Sequence, residues 1–322
     1  MGDITDLLAE QIKGVVRVHS PIEDVITSRV VVRIKKSPNA NAHIEPGTYT
    51  IGGYTFDHSD STSRPIYSAT KDGKPVFLKG AYGSNLEQLR TETSTLTKRL
   101  GSHDHICRPC DYIRNIEDSP FQGYEFMVLP HGGETVETVV STGITTNDAL
   151  TILVQAGSAI THAHSKDVIH RDIKPTNIVV DKNRKSKVID FGIGGHMEDV
   201  FLDQFRGYGT VVYISPEQEN HDDPSKLSDV YSFCATAIFV LTGNQPYATK
   251  PTCIQDGMVQ YITDRRFRKF VPAQIKDMYG KFGTHIINGL SEDPGERPEV
   301  NQLYTSAMTI KRKLANKLKT AY

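Results

Sequence analysis

The chain has 322 residues, 38% of them apolar, and its 37 Lys and Arg residues are balanced by 38 Asp and Glu residues, for a net charge of −1. This length and composition suffice for one two-lobed domain or two small domains and do not favour disorder. The balanced charge excludes a whole-molecule field that would attract nucleic acid or an anionic membrane surface. We therefore expect no nucleic-acid partner, and any phosphate binding must be local.

The chain also lacks the usual signals for export or membrane insertion. Its longest mainly apolar run, Cys234 to Leu241, is far shorter than the ~20 residues that span a bilayer. The amino terminus has neither the basic nor the apolar segment of a secretory signal, and four cysteines in such a chain indicate a reducing compartment. We expect a cytoplasmic protein without membrane insertion.

The first part of the chain predicts an extension followed by a sheet. Residues 1–46 contain a predicted short helix near Ile4–Ile12, and the sequence leaves open whether they inhibit, bind a regulatory partner or pack against the next lobe. From Tyr49 to Lys79 short β-like runs follow one another, with Asp72 and Gly73 marking a tight hairpin turn. These runs predict an antiparallel sheet.

The remainder of the chain becomes mainly helical. A helix is predicted over Asn85–Leu100 because its leucines recur on one side at ~100° per residue. Two more strands, a long helix, a small hairpin and a second long helix are predicted, in chain order, at 112–115, 124–129, 148–164, 177–190 and 229–241. A β-rich lobe followed by an α-rich lobe predicts the α+β class.

The stretch HRDIKPTN, from His170 to Asn177, carries the clearest chemical signal. Asp172 can accept a proton from an attacking hydroxyl, and Lys174 can neutralise charge on a phosphoryl group. The amide oxygen of Asn177 suits Mg²⁺, and Asp190 in VIDFG, at the end of an apolar strand, can share that ion. Taken alone, HRDIKPTN is more simply a solvated loop that caps a strand.

Together, HRDIKPTN and DFG resemble the catalytic loop and the metal-binding motif of the eukaryotic-type (Hanks-type) Ser/Thr protein kinase family. The similarity runs from about residue 47 to about residue 307, and its wording is closest to bacterial members. It implies a two-lobed kinase domain over 47–310, with an N-lobe at 47–130 and a C-lobe at 131–310, and a basic helix end at 311–322. It also implies MgATP as the phosphate donor and a protein Ser or Thr hydroxyl as the acceptor.

The resemblance assigns roles to residues of the C-lobe. Asp172 is the expected catalytic base, Lys174 the γ-phosphate contact, and Asn177 and Asp190 the Mg²⁺ ligands. Thr210, in GTVVYISPEQ, matches the residue that bonds the catalytic Asp and Lys in Ser/Thr kinases.

Four more residues have implied supporting roles in the C-lobe. Arg171 matches the residue that bridges to the activation loop. Glu217 is expected to pair with Arg297, and Asp229 to support the backbone of the catalytic loop.

In the N-lobe, Lys79 ends the strand PVFLK and matches the lysine that holds the α- and β-phosphates. A desolvated ammonium needs a carboxylate partner. Of the two glutamates on the following helix, Glu92 lies nearer the leucine stripe than Glu87, so we expect Glu92 to be the partner. Glu134, in HGGE, matches a position that some family members use for the ribose.

The chain departs from the family pattern in its phosphate-binding loop and at the residue expected to cover the adenine base. Where kinases have G-x-G-x-x-G-x-V, this chain has Ser59, Ser61, Arg64 and Ile66, so either hydroxyls and a guanidinium contact the phosphates or the nucleotide site is weak. Phe77 stands where the family usually has a small Ala; its ring narrows the pocket or packs in a displaced strand. These departures motivate the alternative of a pseudokinase, a nucleotide-binding or protein-interaction module.

The expected activation segment, 193–208, contains no Ser or Thr, and Tyr208 is its only hydroxyl. The segment contains the acidic residues Glu198, Asp199 and Asp203. They either provide a permanent negative charge in place of phosphorylation or are simply solvated.

Two further segments, HDHICRPC and KRKLANKLK, each allow a structural and a functional interpretation. Four side chains in HDHICRPC can in principle surround Zn²⁺: His103, His105, Cys107 and Cys110. The resemblance to kinases instead implies a connection from helix to strand, with alternate side chains in the core. The C-terminal KRKLANKLK is most simply the solvated face of a helix, with contact to a partner or a membrane surface as the alternative.

Overall fold

The computed structural model describes residues 44–59, 65–117, 119–191, 211–220, 222–246 and 273–320. Within these ranges a β-rich half, here called the sheet lobe (up to residue 130), precedes a mainly helical half, the helical lobe (from residue 131). The predicted α+β class, with a β-rich lobe before an α-rich lobe, is therefore confirmed. The helix predicted near Ile4–Ile12 lies outside the described residues.

The sheet lobe is built on a six-stranded antiparallel sheet in the order β1-β2-β3-β4-β6-β5. Its strands are β1 (Gly47–Ile51), β2 (Tyr54–His58), β3 (Ile66–Lys71), β4 (Lys74–Tyr82), β5 (Asp111–Ile113) and β6 (Tyr124–Pro130). Asp72 and Gly73 join β3 to β4 with φ values of 52° and 71°, which confirms the predicted hairpin turn. Strand β5 ends before the predicted residue 115 because Asn115, with φ of 57°, leaves the extended region.

The helix predicted over Asn85–Leu100 is divided into three parts. A 3₁₀ turn (Gly83–Asn85) leads into α1 (Leu86–Ser94), and the last turn (Thr95–Arg99) is π-helical. The Thr97 hydroxyl donates to the Thr93 carbonyl at 2.7 Å, a bond that competes with the regular helical ladder. The wide final turn ends with a bond from Leu100 N to Thr95 O and leaves the Leu100 side chain buried, as the leucine pattern predicted.

The helical lobe combines six helices with a small three-stranded sheet within the described ranges. Its elements are β7 (Glu134–Thr135), α2 (Val136–Ser141), α3 (Thr146–Ser165), β8 (Ile178–Val180), β9 (Ser186–Val188), α4 (Pro216–Glu219), α5 (Lys226–Thr242), α6 (Ala273–Gly289) and α7 (Val300–Thr320). Helix α5 begins three residues before its predicted start because Ser225 and Ser228 form a capping box. None of the helices in the described part of the chain is long and apolar enough to cross a lipid bilayer.

The two faces of the main sheet contribute to different hydrophobic cores. Side chains alternate along β4, and Val76 and Leu78 enter an aromatic-rich core of the sheet lobe. The opposite face carries Phe77, Lys79 and Ala81, and Ala81 belongs to the core that is shared with α1 and the helical lobe. This alternation directs Lys79 toward the helical lobe.

Candidate active site

The segment from His170 to Asn177 gathers three of the predicted catalytic residues. Asp172 Oδ2 lies 2.7 Å from Nζ of Lys174 and accepts a hydrogen bond of 2.9 Å from Nδ2 of Asn177. The same amide nitrogen donates to the Asp172 carbonyl at 2.8 Å, which folds the loop back on itself. The arrangement is a partly exposed carboxylate held between an ammonium and an amide.

Asp229 supports this loop from below, as predicted. Its carboxylate accepts hydrogen bonds of 2.8 Å from the backbone amides of both His170 and Arg171. His164, which the sequence reasoning did not single out, lies 2.8 Å from the same carboxylate through Nε2. Arg171 has a left-handed φ of 72°, so the buried carboxylate stabilises a strained turn of the backbone.

His170 ties the catalytic loop to the segment that carries Asp190. Its Nδ1 accepts a hydrogen bond of 3.2 Å from the Asp172 amide, and its Nε2 lies 3.0 Å from the carbonyl of Ile189. Its ring also contacts Phe191, with 4.7 Å between ring centroids. No role was predicted for the His170 imidazole, although its position at the start of HRDIKPTN could have indicated one.

Lys79 connects the two lobes through two carboxylates. Its Nζ lies 2.7 and 3.0 Å from the two carboxylate oxygens of Glu92 on α1, and 2.6 Å from Oδ1 of Asp190. Glu92 is only 3% exposed, whereas Glu87 is exposed to solvent. Helical periodicity therefore predicted correctly that Glu92, and not Glu87, contacts Lys79.

Lys79 and Asp190 stabilise each other's charged forms. Burial opposes the charged form of Lys79, but the carboxylates of Asp190 and Glu92 outweigh it and hold the pKa of the ammonium above its ordinary value. Burial likewise opposes ionisation of Asp190, yet the attraction of Lys79 holds the pKa of this carboxyl below its ordinary range. For Glu92, burial dominates and raises the pKa. Lys79 and Asp190 consequently remain charged at neutral pH.

Asn177 and Asp190 have the chemistry of a magnesium site. The Asn177 amide nitrogen is directed at Asp172, which turns the amide oxygen away from that residue. Carboxylate and amide oxygens are the hard ligands that Mg²⁺ prefers. Asp190 has a left-handed φ of 59°, a conformation that tightly defined functional turns tolerate. The residues present therefore fit a hard divalent cation.

The predicted nucleotide contacts are only partly covered by the structure. Ser59 is exposed, just beyond β2, whereas Ser61 and Arg64 lie outside the described residues, as does Thr210. Glu134 is exposed at the start of β7, where it pairs with Val180. The roles of these residues remain predictions.

Phe77 lies on the same face of β4 as Lys79, two residues away. Its ring stacks on His131, just after β6, with 4.9 Å between centroids and 17° between the ring planes. Ile66 lies opposite Lys79 across the β3 and β4 pairing and is 46% exposed. Phe77 therefore faces the cleft between the lobes, which excludes a side chain turned into the core of the sheet lobe.

The segment HDHICRPC is a packed connection between helix and strand. Its adjacent residues Ile106 and Cys107 are both 2% exposed, so consecutive side chains enter the core, where the sequence predicted alternate ones. The difference arises where the segment forms a parallel β-bridge between Ile106 and Val188, the last residue of β9, which holds the segment against the core. Within the described ranges no group of three or more His, Cys, Asp or Glu side chains is arranged to hold a metal ion.

Glu217 and Arg297 form the predicted ion pair in the helical lobe. NH1 of Arg297 lies 2.7 Å from one oxygen of Glu217, and NH2 lies 2.8 Å from the other. Ser228 donates a further hydrogen bond of 2.7 Å to Glu217. The geometry is a bidentate fork whose arginine side chain is fully buried.

Two contacts near the site were not predicted. Gln218 donates a hydrogen bond of 2.8 Å to the carbonyl of Arg171. Arg90 on α1 pairs with Glu125 on β6, 35 residues further along the chain. Sequence spacing carries no signal for either contact, because each joins elements that meet only in the folded chain.

Comparisons with known proteins identify the family. The family model of the protein kinase domain matches residues 70–308, which include Lys79, Asp172 and Asp190. The chain belongs to the protein kinase domain family, and the resemblance recognised from its motifs is confirmed.

The relatives among characterised proteins carry kinase names. Serine/threonine-protein kinase PrkC of Bacillus subtilis is 31% identical over 156 residues, which are 47% of this chain and 23% of that protein. Serine/threonine-protein kinase PknA of Mycobacterium tuberculosis is 31% identical over 177 residues, which are 53% of this chain and 41% of that protein. A probable serine/threonine-protein kinase of Dictyostelium discoideum is 26% identical over 245 residues, covering 74% of this chain and 14% of the relative. The chain thus spans less than half the length of each of these proteins.

Proposed function

We propose that this chain is a protein Ser/Thr kinase that transfers the γ-phosphate of MgATP to hydroxyl groups of a protein substrate. The observation that carries the proposal is the contact of Lys79 with both Glu92 and Asp190, which joins the sheet lobe to the helical lobe at one ammonium. In-line phosphoryl transfer depends on such positioning of cations and carboxylates. The names of the relatives support Ser/Thr as the acceptor.

In this proposal Asp172 is the catalytic base. It accepts the proton of the substrate hydroxyl as the hydroxyl oxygen bonds to the γ-phosphorus and the bond from phosphorus to the β-phosphate oxygen breaks, which releases ADP. Lys174, 2.7 Å from Asp172, neutralises negative charge on the transferring group. Thr210 is proposed to bond both residues.

The nucleotide is proposed to be held from both lobes. Lys79 contacts its phosphates, and Asn177 and Asp190 hold Mg²⁺, which neutralises phosphate charge when it is bound. The remaining contacts come from the rim of the cleft, and we assign them to Ser59, Ser61, Arg64 and Glu134.

We also propose a division of the chain around this site. The kinase domain extends over 47–310 and is followed by a basic helix end (311–322). It is preceded by an extension (1–46) that inhibits the domain, binds a regulatory partner or packs against the sheet lobe. The start of β1 at Gly47 supports the first boundary. The second boundary falls inside α7, so the basic end continues a helix of the domain. The cysteine content supports the cytoplasm as the place of action.

The test is transfer of labelled γ-phosphate from MgATP to the protein itself and to a generic Ser/Thr acceptor. Wild type should label the acceptor, and Asp172→Asn should lose about 100-fold or more of the rate, because general-base catalysis typically contributes that much. Asp104→Asn is the matched control, since Asp104 is an 83% exposed aspartate that pairs with Lys185 and has no role in the proposed site.

The outcomes distinguish an active kinase from a pseudokinase. Labelling that disappears only in Asp172→Asn supports the kinase and shows that a glycine-free phosphate loop permits transfer. Absence of labelling in wild type that still binds MgATP would reject the proposal in favour of a pseudokinase.

A further inference from the structure

Helix α1 is attached to the main sheet at a second point besides Glu92. Nε of Arg90 donates a hydrogen bond of 2.9 Å to Oε2 of Glu125 on β6, and its NH2 contacts Oε1, so the pairing is bidentate. The Tyr112 hydroxyl, from β5, donates to the same Oε2. The Glu125 side chain is 10% exposed, which leaves a buried carboxylate satisfied by these two partners.

The second attachment lies on the same face of the sheet as Lys79. Glu125 pairs with Ala81, and Lys79 pairs with Met127, so the two charged residues are one strand apart and two residues apart in register. That offset corresponds to about 8 Å between their backbone positions. Helix α1 is therefore held to two neighbouring strands at two separate points.

The two attachments leave α1 from opposite sides. Arg90 and Glu92 are two residues apart, which corresponds to about 200° around the helix axis and about 3 Å along it. A rotation of α1 that carries one of these side chains toward the sheet lifts the other away from it, so rotation in either direction weakens at least one pair, and a shift away from the sheet breaks both. The pair of Arg90 and Glu125 therefore restrains the motion that would separate Glu92 from Lys79.

We propose that Arg90, Glu125 and Tyr112 form a positioning clamp that fixes the rotation of α1 and thereby holds Glu92 on Lys79. The proposal rests on the proposed kinase function and adds a way in which the site is kept assembled. The restraint comes from the chain's own sheet, so the contact between Lys79 and Glu92 needs no external partner to form. Arg90 acts through Glu92 and touches neither substrate nor nucleotide.

The chemistry of the clamp explains why arginine is the residue used. The planar guanidinium bonds both oxygens of Glu125 at once and so fixes a direction as well as a distance. These hydrogen bonds hold the pKa of Glu125 below its ordinary value, so the clamp remains charged at neutral pH. A lysine at position 90 would keep the charge but lose the directional fork.

The test is a double-mutant cycle in the full chain. Arg90→Met, Glu92→Gln and the double variant are compared with wild type for kcat/KM of MgATP in the labelled-phosphate transfer, with thermal unfolding measured in parallel. Arg184→Met is the matched control, because Arg184 is also a half-exposed arginine, 3.4 Å from the carboxylate of Asp148 in the helical lobe.

We expect Arg90→Met to lower kcat/KM about tenfold in the wild-type background and less than about twofold in the Glu92→Gln background, the coupling typical of residues that act through one another. Arg184→Met should leave kcat/KM unchanged. Arg90→Lys should recover the lost activity only in part. Equal losses in both backgrounds, or no loss from Arg90→Met, would overturn the clamp.

An activity-independent measurement separates failure of the clamp from failure of the proposed kinase function. Amide hydrogen exchange over residues 86–94 should be about tenfold faster in Arg90→Met than in wild type or Arg184→Met, because the helix loses one of its two attachments. If wild type transfers no phosphate, the proposed function fails and this exchange still decides the clamp. Unchanged exchange over 86–94 would reject it.

Discussion

The cleft and the base of the helical lobe both contain a largely buried carboxylate paired with a cation, but the two pairs are built differently. In the cleft, Lys79 divides its ammonium between Glu92 and Asp190, and a quarter of its side chain is exposed. At the base, the fully buried guanidinium of Arg297 bonds both oxygens of Glu217.

The surroundings of the two cations differ as well. Arg297 also donates to backbone carbonyls, including those of Ser291 and Leu227, so its hydrogen-bonding capacity is used within the protein. Lys79 has one compact charge between two acids, so under the proposed function it can exchange one acidic partner for a nucleotide phosphate. We therefore expect the saturated fork of Arg297 to contribute mainly to stability and the shared charge of Lys79 to contribute mainly to the proposed activity.

The largest effect is expected from breaking the saturated pair. Arg297→Met should lower the free energy of unfolding by about 3–5 kcal/mol, because it leaves the largely buried carboxylate of Glu217 without its cation. Chemical denaturation compared with Arg184→Met measures the difference. A loss as small as that of the surface control would show that the fork does not stabilise the lobe.

The shared cation should show the opposite balance of effects. Lys79→Met is expected to lower kcat/KM for MgATP about 100-fold, the usual cost of removing one preorganised charge contact, and to destabilise the fold less than Arg297→Met does. Lys74→Met, on the same strand and exposed, is the control. A variant that unfolds as readily as Arg297→Met would remove the distinction between the two pairs.

The saturated pair should also respond to acid. Burial acts to raise the pKa of Glu217, but hydrogen bonds from Arg297 and Ser228 outweigh it and hold the pKa below its ordinary value of 4.5. A lowered pKa in the folded state stabilises the protein above pH 4.5, and this contribution is lost as the pH falls through the folded-state pKa.

The free energy of unfolding, measured from neutral pH into the acid range, checks this dependence. The difference between wild type and Glu217→Gln should stay constant well above pH 4.5 and shrink below it. A difference that grows on acidification would have the wrong sign and would contradict a charged, paired Glu217.

The smallest effect concerns the rim of the cleft. Phe77→Ala should lower the KM for MgATP about threefold, because the ring stacked on His131 occupies space on the face that carries Lys79. His131→Ala should act in the same direction and more weakly, since it frees the ring without removing it. A higher KM in Phe77→Ala would mean that the ring contacts the nucleotide base.

Contacts between residues of one short segment could be predicted from the sequence. The bonds among Asp172, Lys174 and Asn177 arise within six residues of chain, and the choice of Glu92 over Glu87 follows from helical periodicity. The hairpin at Asp72 was equally local. In each case the geometry of a turn or a helix determines which side chains meet.

The contacts that join distant segments were not predictable in this way. The meeting of Arg90 with Glu125 depends on the register of β4 with β6 and on where α1 lies across them. The stacking of Phe77 on His131 depends on the same register at its other end. A shift of one residue in that pairing would turn these side chains to the opposite face, and the sequence pattern does not specify the partner of each.

By itself, the sequence determined the α+β class, the kinase family and the candidate residues for catalysis, because these follow from periodicity and from motifs with short, fixed spacing. The tertiary structure alone decided that Lys79 is shared between Glu92 and Asp190, that His170 and His164 support the loop, and that α1 has a second attachment to the sheet. These contacts join residues that are far apart in the chain, and only the packing of lobes, strands and helices brings their charges and hydrogen-bonding groups within reach of one another.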